Sequence, residues 1–222
     1  MRFPLEPEHA DAGRGSAKRQ GDGYRGAVGD SFQIIADVEA PEAEAPALAA
    51  DVIGWLSGAG IVGAEQADCV LGAAAGYPPG RCYAAAVTTP DERLFTLRTN
   101  GVEVHTTRSV FYPVQGELGP VTCPRCGHRM ELEDPPTGVP TAHWEPFNEA
   151  LDEWMAGEPA DVTCPRCRRA SGLNDWQWTG EWPLAVGFLG FTFWNWPALS
   201  EPFIAQLAAY LGHRLVVTQG KI

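Results

Sequence analysis

The sequence predicts an α+β protein with one mixed or antiparallel sheet, helices packed on that sheet, and an embedded cysteine-rich segment that carries a helix of its own. Three observations lead to this class. Strand-like and helix-like apolar stretches follow one another both at 32–62 and at 186–217. The pentapeptide TCPRC occurs twice, at 122–126 and 163–167. An amphipathic stretch with helical spacing lies between the two copies.

The N-terminal part divides into a tail and the first half of the core. Residues 1–30 have almost no periodic apolar pattern and are predicted to be a flexible tail. Residues 31–120 form the predicted N-terminal α+β half. It opens with a strand at 32–39, and a helix at 47–58 follows, which ends in a glycine-rich stretch.

The rest of this half is predicted from shorter signals. A short helix is expected at 64–74, and the GYPPG turn follows it. A strand is predicted at 81–89 and a hairpin at 93–112. The Asn100–Gly101 pair suits the tight turn of that hairpin, because both central positions of such a turn need positive φ.

Residues 173–222 are predicted to complete the core as a β-α-β unit. The stretch 182–196 is strand-like, 200–212 has helical spacing with Ser200 as N-cap and Gly212 as stop, and 213–222 closes the chain as a strand. In FTFWNWP, strand alternation sends Phe191, Phe193 and Asn195 to one face and Thr192, Trp194 and Trp196 to the other. Apolar residues on both faces indicate a central, covered strand.

The repeated pentapeptide predicts a metal site. A C-x-x-C turn lets two thiolates converge on one ion, and two such turns supply Cys123, Cys126, Cys164 and Cys167. The first copy, CPRCGH, resembles the CPxCG knuckle of zinc ribbons, whereas the second, CPRCRR, has Arg168 where that family has glycine. The resemblance implies one structural zinc ion held by these four cysteines. Arg168 predicts a slightly different second turn.

The zinc ribbon is predicted to span residues 121–172 and to carry a helical insert. Residues 127–163 separate the two pairs, whereas paired C-x-x-C sites commonly have about 15–20 residues between them. The surplus is a predicted helix at 143–157 with Trp144, Phe147, Leu151 and Trp154 on one face. That face either packs against the main domain, which is the favoured interpretation, or meets a partner.

Two other chemistries remain open for the same cysteines. A thioredoxin-like pair would need one C-x-x-C at a helix start, and an iron–sulfur cluster could use all four thiolates. Cys69 and Cys82 lie in apolar stretches and are interpreted as small buried residues.

Charge separates the classes of partner. The net charge is −12, from 28 acidic and 16 basic residues, which disfavours nucleic acid and anionic membranes in general. Arginines cluster at the cysteine turns, at 125, 129, 166, 168 and 169. They offset the charge of a four-thiolate zinc site or, in the alternative, contact nucleic acid.

The sequence lacks the GxSxG, phosphate-binding glycine loop, Rossmann and HExxH motifs of several enzyme classes. A four-cysteine site is closed and normally structural. The remaining enzyme hypothesis depends on whether a cavity gathers Glu103, His105 or His213.

The sequence therefore predicts a cytoplasmic, zinc-stabilised binding or adaptor protein whose partner is another, basic protein; an immunity or toxin-neutralising protein is one member of that class. The start, MRFPLEPEHADAG, lacks the apolar run of a secretory signal, and no apolar stretch is long enough to span a bilayer. A zinc-ribbon nucleic-acid-binding factor and an enzyme with an unrecognised site are the alternatives.

Overall fold

The computed structural model of the protein describes residues 29–113, 119–134, 137–179 and 183–222, so all but the last two residues of the predicted tail lie outside the described part. Three α-helices are present in that part: α1 (Ala45–Gly58), α2 (Glu145–Ala156) and α3 (Glu201–Leu211). The strands of the first half are β1 (Ser31–Asp37), β2 (Val102–His105) and β3 (Ser109–Phe111). Those of the cysteine-rich segment are β4 (Val121–Thr122), β5 (Arg129–Met130), β6 (Glu133–Asp134), β7 (Val139–Pro140), β8 (Asp161–Thr163), β9 (Ala170–Gly172) and β10 (Gln177–Trp178). The last three are β11 (Ala185–Gly187), β12 (Leu189–Trp194) and β13 (Leu215–Lys221).

The main sheet has the order β13-β1-β12-β2, and each neighbouring pair is antiparallel. Helices together with antiparallel sheets confirm the α+β class. The order is symmetric about the β1–β12 pair. The unit β1–α1 is followed along the chain by β2, which pairs with β12, and the unit β12–α3 is followed by β13, which pairs with β1.

The two faces of this sheet have different surroundings. Ile35, Val102, Phe191 and Phe193 pack with the buried residues of α1 and α3 in the larger apolar core, so both helices lie on one face. Phe32, Ile34 and Trp194 point to the opposite face, where they form a smaller cluster with Phe111 and the 69–70 segment. All residues of β12 are buried, as expected for a central strand covered on both sides.

The ends of the helices follow the expected chemistry. Ser200 Oγ accepts a hydrogen bond from the Phe203 backbone N–H (3.3 Å), and Gly212 ends α3 with φ of 72°. The strand alternation of FTFWNWP fails at one place. Asn195 has φ of 57°, which reverses the alternation and directs Trp196 into the larger core beside Phe193. The predicted placement of Trp196 with Thr192 and Trp194 is therefore wrong.

The short predictions between α1 and β2 are also wrong. Residues 64–74 form no helix; an isolated bridge pairs Ala67 with Gly76, and the Cys69 carbonyl accepts the N–H groups of Asn100 and Gly101. Residues 81–89 form a 3-10 turn at Tyr83–Ala85 instead of a strand. The segment between α1 and β2 is therefore stabilised by hydrogen bonds to residues distant in sequence rather than by helices or strands of its own.

The hairpin predicted at 93–112 is likewise absent. Its first arm is a 3-10 helix, Glu92–Thr96, and β2 pairs with β12. Asn100 is buried, and its side chain donates to the Leu94 carbonyl (2.9 Å). Glycine at position 101 lets the backbone pass close to Cys69, because an added Cβ would lie 2.2 Å from the Cys69 Sγ atom.

Strands β4–β10 and α2 form a second lobe, called here the cysteine lobe. Its apolar core includes Val121, Leu132, Phe147 and Val162, and it also takes in Leu184 and Val186 beyond the cysteine segment. The antiparallel pair β3–β11 joins the two lobes. The helix predicted at 143–157 is confirmed as α2, but its buried face packs inside the cysteine lobe and not against the main domain, as the favoured interpretation had it. No helix in the described ranges has the length and apolar character needed to cross a bilayer.

Candidate metal centre and cleft

The fold brings the four predicted cysteines together. Cys123 and Cys126 lie in the turn between β4 and β5, and Cys164 and Cys167 lie in the turn between β8 and β9. Their Sγ atoms all lie within 4.8 Å of one another. The Cys123–Cys167 and Cys126–Cys164 separations are 3.9 Å and 3.8 Å. Four thiol groups at this spacing are positioned to bind one metal ion.

The two cysteine turns have the same backbone construction. In each, the first cysteine's N–H donates to the carbonyl five residues later: His128 (2.9 Å) and Arg169 (3.0 Å). In each, its carbonyl accepts from the N–H four residues later: Gly127 (3.0 Å) and Arg168 (2.9 Å). Gly127 has φ of 68° and Arg168 has φ of 60°. The expected difference in the second turn is therefore absent, since Arg168 adopts the left-handed conformation that glycine provides in the first.

Replacing Arg168 with glycine is expected to stabilise the protein. A residue with a Cβ pays roughly 1–2 kcal/mol for the left-handed conformation, which glycine adopts without that penalty. The larger backbone entropy of glycine in the unfolded chain offsets part of this gain, so we expect Arg168→Gly to raise the free energy of unfolding by about 0.5–1 kcal/mol. Denaturant unfolding at saturating metal measures the change. Gly127→Ala is the matched reverse variant and should lower the free energy of unfolding. If Arg168→Gly left that free energy unchanged or lowered it, backbone strain at Arg168 would be refuted.

Without a cation, the thiols differ in their tendency to ionise. Burial raises the pKa of Cys164. Hydrogen bonds from the backbone N–H groups of Cys167 and Arg166, and from the neighbouring thiols, outweigh this effect and lower the pKa to about 7. The His128 N–H lowers the pKa of Cys126, but burial and the three other thiols outweigh it and raise the value to about 11. Thiolates that share so small a volume repel one another, so full ionisation of the set requires a bound cation.

The chain offers a second feature, an open cleft on the sheet face opposite α1 and α3. It has a volume of about 640 Å³. Its floor is the side chains of Phe32, Ile34, Phe111, Thr192 and Trp194. Its sides are lined by Leu71 and Gly72, by residues 108–112, and by Asp152 and Met155 of α2. Ile222 also lines the cleft. The cleft thus lies where the main sheet meets the cysteine lobe, a common place for binding sites.

Two polar groups from β2 enter this apolar cleft. The Glu103 carboxylate Oε2 accepts hydrogen bonds from Trp194 Nε1 (2.9 Å) and from the Gly72 N–H (3.2 Å). His105 Nε2 shares a hydrogen bond with Thr192 Oγ1 (2.8 Å). Burial lowers the pKa of His105, and the nearby Glu103 carboxylate offsets part of this effect, so the imidazole is neutral at neutral pH.

No family model, curated protein or solved structure matches this chain. The geometry of the chain itself therefore carries the functional argument.

The histidine and carboxylate positions singled out from the sequence separate into two places. Glu103 and His105 line the cleft together. His213 lies elsewhere: its Nδ1 is 2.7 Å from Oδ2 of Asp37, a fully buried carboxylate that also accepts the N–H groups of Glu39 and Ala40. Period-two spacing identified the first pair, and a helix-ending glycine placed His213 at the end of α3.

Of the two remaining cysteines, Cys69 is buried, as expected, but Cys82 is exposed, so its interpretation as a buried residue is wrong. Cys82 lies at the start of the 3-10 turn, and its N–H donates to the Gly60 carbonyl.

The basic residues at the cysteine turns divide by their contacts. Arg129 pairs with Glu131 (3.2 Å) and also reaches Thr179, and Arg125 Nε donates to Ser171 Oγ (3.2 Å). The other arginines, at 166, 168 and 169, are exposed. The contacts of Arg125 and Arg129 thus stay within the cysteine lobe, as expected of residues that stabilise the cysteine turns.

Sequence reasoning missed the apolar rim of the cleft. Its exposed members are Leu71, Tyr112, Met155 and Ile222. They come from a loop, the end of β3, helix α2 and the C-terminus, so no periodic pattern in the sequence connects them.

Proposed function

We propose that this protein is a zinc-stabilised binding protein, that its zinc is structural, and that its partner is another protein received in the cleft. The observation that carries the proposal is the separation of the two sites. The metal donors form a set of four thiols, which leaves no open coordination position on a tetrahedral ion. Among the described residues, no cysteine lines the cleft.

The spacing of the thiols supports zinc. A tetrahedron with zinc–sulfur bonds of about 2.3 Å has sulfur–sulfur edges of about 3.8 Å. The Cys126–Cys164 and Cys123–Cys167 separations, 3.8 Å and 3.9 Å, fit that size. The identical construction of the two turns supports the resemblance to zinc ribbons, in which two knuckles face each other across the ion.

The cleft supports a protein partner. Eight large apolar residues of the described part are exposed, and four of them, Leu71, Tyr112, Met155 and Ile222, line the cleft. Such a concentration of exposed apolar surface is typical of interaction sites, whereas single exposed apolar residues are common everywhere. The net charge of −12 favours a basic partner.

Native mass spectrometry of the protein, captured gently with an affinity tag from the cells that make it, tests the proposal. We expect one zinc ion and one discrete companion protein. Heterogeneous nucleic acid in place of that companion would contradict the proposal and favour the nucleic-acid-binding class. Charge reversal at Arg166, Arg168 and Arg169 is the matched control, since it should remove nucleic acid but leave a cleft-bound protein in place.

The cleft also favours a second candidate, an enzyme. Glu103 and His105 lie in one cavity, and a neutral imidazole is suited to accept a proton. Zinc without any companion in the same measurement would favour this candidate over the binding protein.

A further inference from the structure

The feature of the cleft that points to a ligand is the carboxylate of Glu103. Its side chain is almost completely buried, with Glu103 4% exposed. Both of its hydrogen bonds go to Oε2, and no donor among the described residues reaches Oε1. A carboxylate oxygen without a donor favours a ligand that brings one, and a charged donor binds it more strongly than a neutral one.

Arg108, a cationic residue that lines the cleft, makes its contacts with α2 and with Phe188. Arg108 Nη1 donates to the carbonyls of Trp154 (2.9 Å) and Glu158 (3.1 Å). Its guanidinium also lies over the rings of Trp154 (4.0 Å) and Phe188 (5.1 Å). Arg108 thus fastens the end of α2 to the main lobe. The other basic group in the cleft, His105, is neutral and bonded to Thr192.

The geometry of the open oxygen distinguishes between basic side chains. A guanidinium binds a carboxylate best by a fork to both oxygens, but Oε2 of Glu103 already accepts two donors. A lysine ammonium is a compact charge that can address Oε1 alone. Its four-carbon stem would lie along the apolar floor, formed by Phe32, Ile34 and Phe111.

We propose that the cleft receives a segment of the partner protein in which a lysine, flanked by apolar residues, places its ammonium group on Glu103 Oε1. The flanking apolar residues contact Leu71, Tyr112 and Met155 at the rim. This inference rests on the proposed function and names the part of the partner that the cleft selects. Charge complementarity at Glu103 and the apolar rim carry it together.

The test is selection from a random 12-residue peptide library displayed on phage, with the full-length, zinc-loaded protein as the target. We expect enriched peptides to contain a lysine with apolar neighbours. In a synthetic copy of such a peptide, replacing the lysine with norleucine should weaken binding roughly 10-fold or more, because it removes a charge-assisted hydrogen bond to Glu103.

Variants of the protein make the test specific. Glu103→Gln keeps the size of the side chain and should weaken the peptide by a similar factor, whereas Glu42→Gln, on an exposed loop before α1, should bind normally. Met155→Lys guards against a folding defect in Glu103→Gln. Met155 is 55% exposed, so the substitution should leave the fold intact while its charge repels the ligand lysine.

Several outcomes would overturn the inference: no enriched peptide, enriched peptides without lysine, or equal binding to Glu103→Gln. Enrichment only after deletion of residues 1–28 would assign the cleft to the protein's own N-terminus, and a dimer that Met155→Lys dissociates would assign it to a second copy. If the companion protein seen by mass spectrometry persists on both cleft variants, the inference and the placement of the partner in the cleft fail, whereas the zinc-stabilised protein-binding role stands. Loss of the companion from both variants supports the inference.

Discussion

Replacing Cys123 with serine is expected to release the metal and unfold the cysteine lobe. Cys123 is buried and belongs to the apolar core of that lobe, so its thiol joins the metal site to the packing. Structural zinc binding contributes folding free energy directly, on the order of 10–16 kcal/mol in small zinc domains, and loss of one of four ligands removes a large part of it. Metal analysis by mass spectrometry together with calorimetric melting measures both effects.

Cys82→Ser is the matched control for this change. Cys82 is exposed and lies outside the four-thiol cluster, so the same substitution there should leave the metal content unchanged and the melting temperature nearly so. A Cys123→Ser protein with the metal content and melting temperature of the unmodified chain would refute a structural role for the metal.

Truncating Phe147 to alanine is expected to have the second-largest effect. Phe147 is fully buried on α2, with its ring centroid 5.0 Å from that of Trp176 and 5.7 Å from that of Trp178. Removing a buried phenylalanine side chain costs about 3–5 kcal/mol, from lost apolar burial and from the cavity left behind. Denaturant unfolding monitored by tryptophan fluorescence measures the decrease in the free energy of unfolding.

The control for Phe147→Ala lies on the same helix. Met155→Ala removes an exposed side chain and should change the free energy of unfolding by less than about 0.5 kcal/mol. Equal small effects of the two substitutions would mean that α2 is not anchored through its apolar face, and would return that face to the list of partner-binding surfaces.

The elements that the sequence predicted well have strong local causes. Helix α3 follows from its serine cap, its glycine stop and the spacing of its apolar residues. The clustering of the four cysteines follows from a repeated motif whose turn closes within six residues, from Cys123 to His128. In both cases, the signal and the contacts that satisfy it lie in the same short stretch of chain.

The elements that were missed depend on contacts distant in sequence. The 64–74 stretch has helical composition, but Cys69 is held by the backbone at residues 100–101, which outweighs weak local propensity. The local sequence at Asn100–Gly101 favours a hairpin turn, but the carbonyl of Asn100 accepts a hydrogen bond from Trp196 Nε1 (2.7 Å), 96 residues along the chain. The cleft was not predictable for the same reason, since its rim assembles from four separate segments.

The strand order β13-β1-β12-β2 has a consequence for synthesis of the chain on the ribosome. β1 emerges early, but both of its partners, β12 and β13, lie in residues 189–221, at the very end. The two cysteine turns and α2 are complete by residue 172, so the nascent chain can capture its metal while the main sheet still lacks all three of its neighbouring strand pairs. β1, with its apolar side chains, therefore stays unpaired until β12 and β13 have been synthesised, and this interval is when we expect the nascent chain to depend most on chaperones.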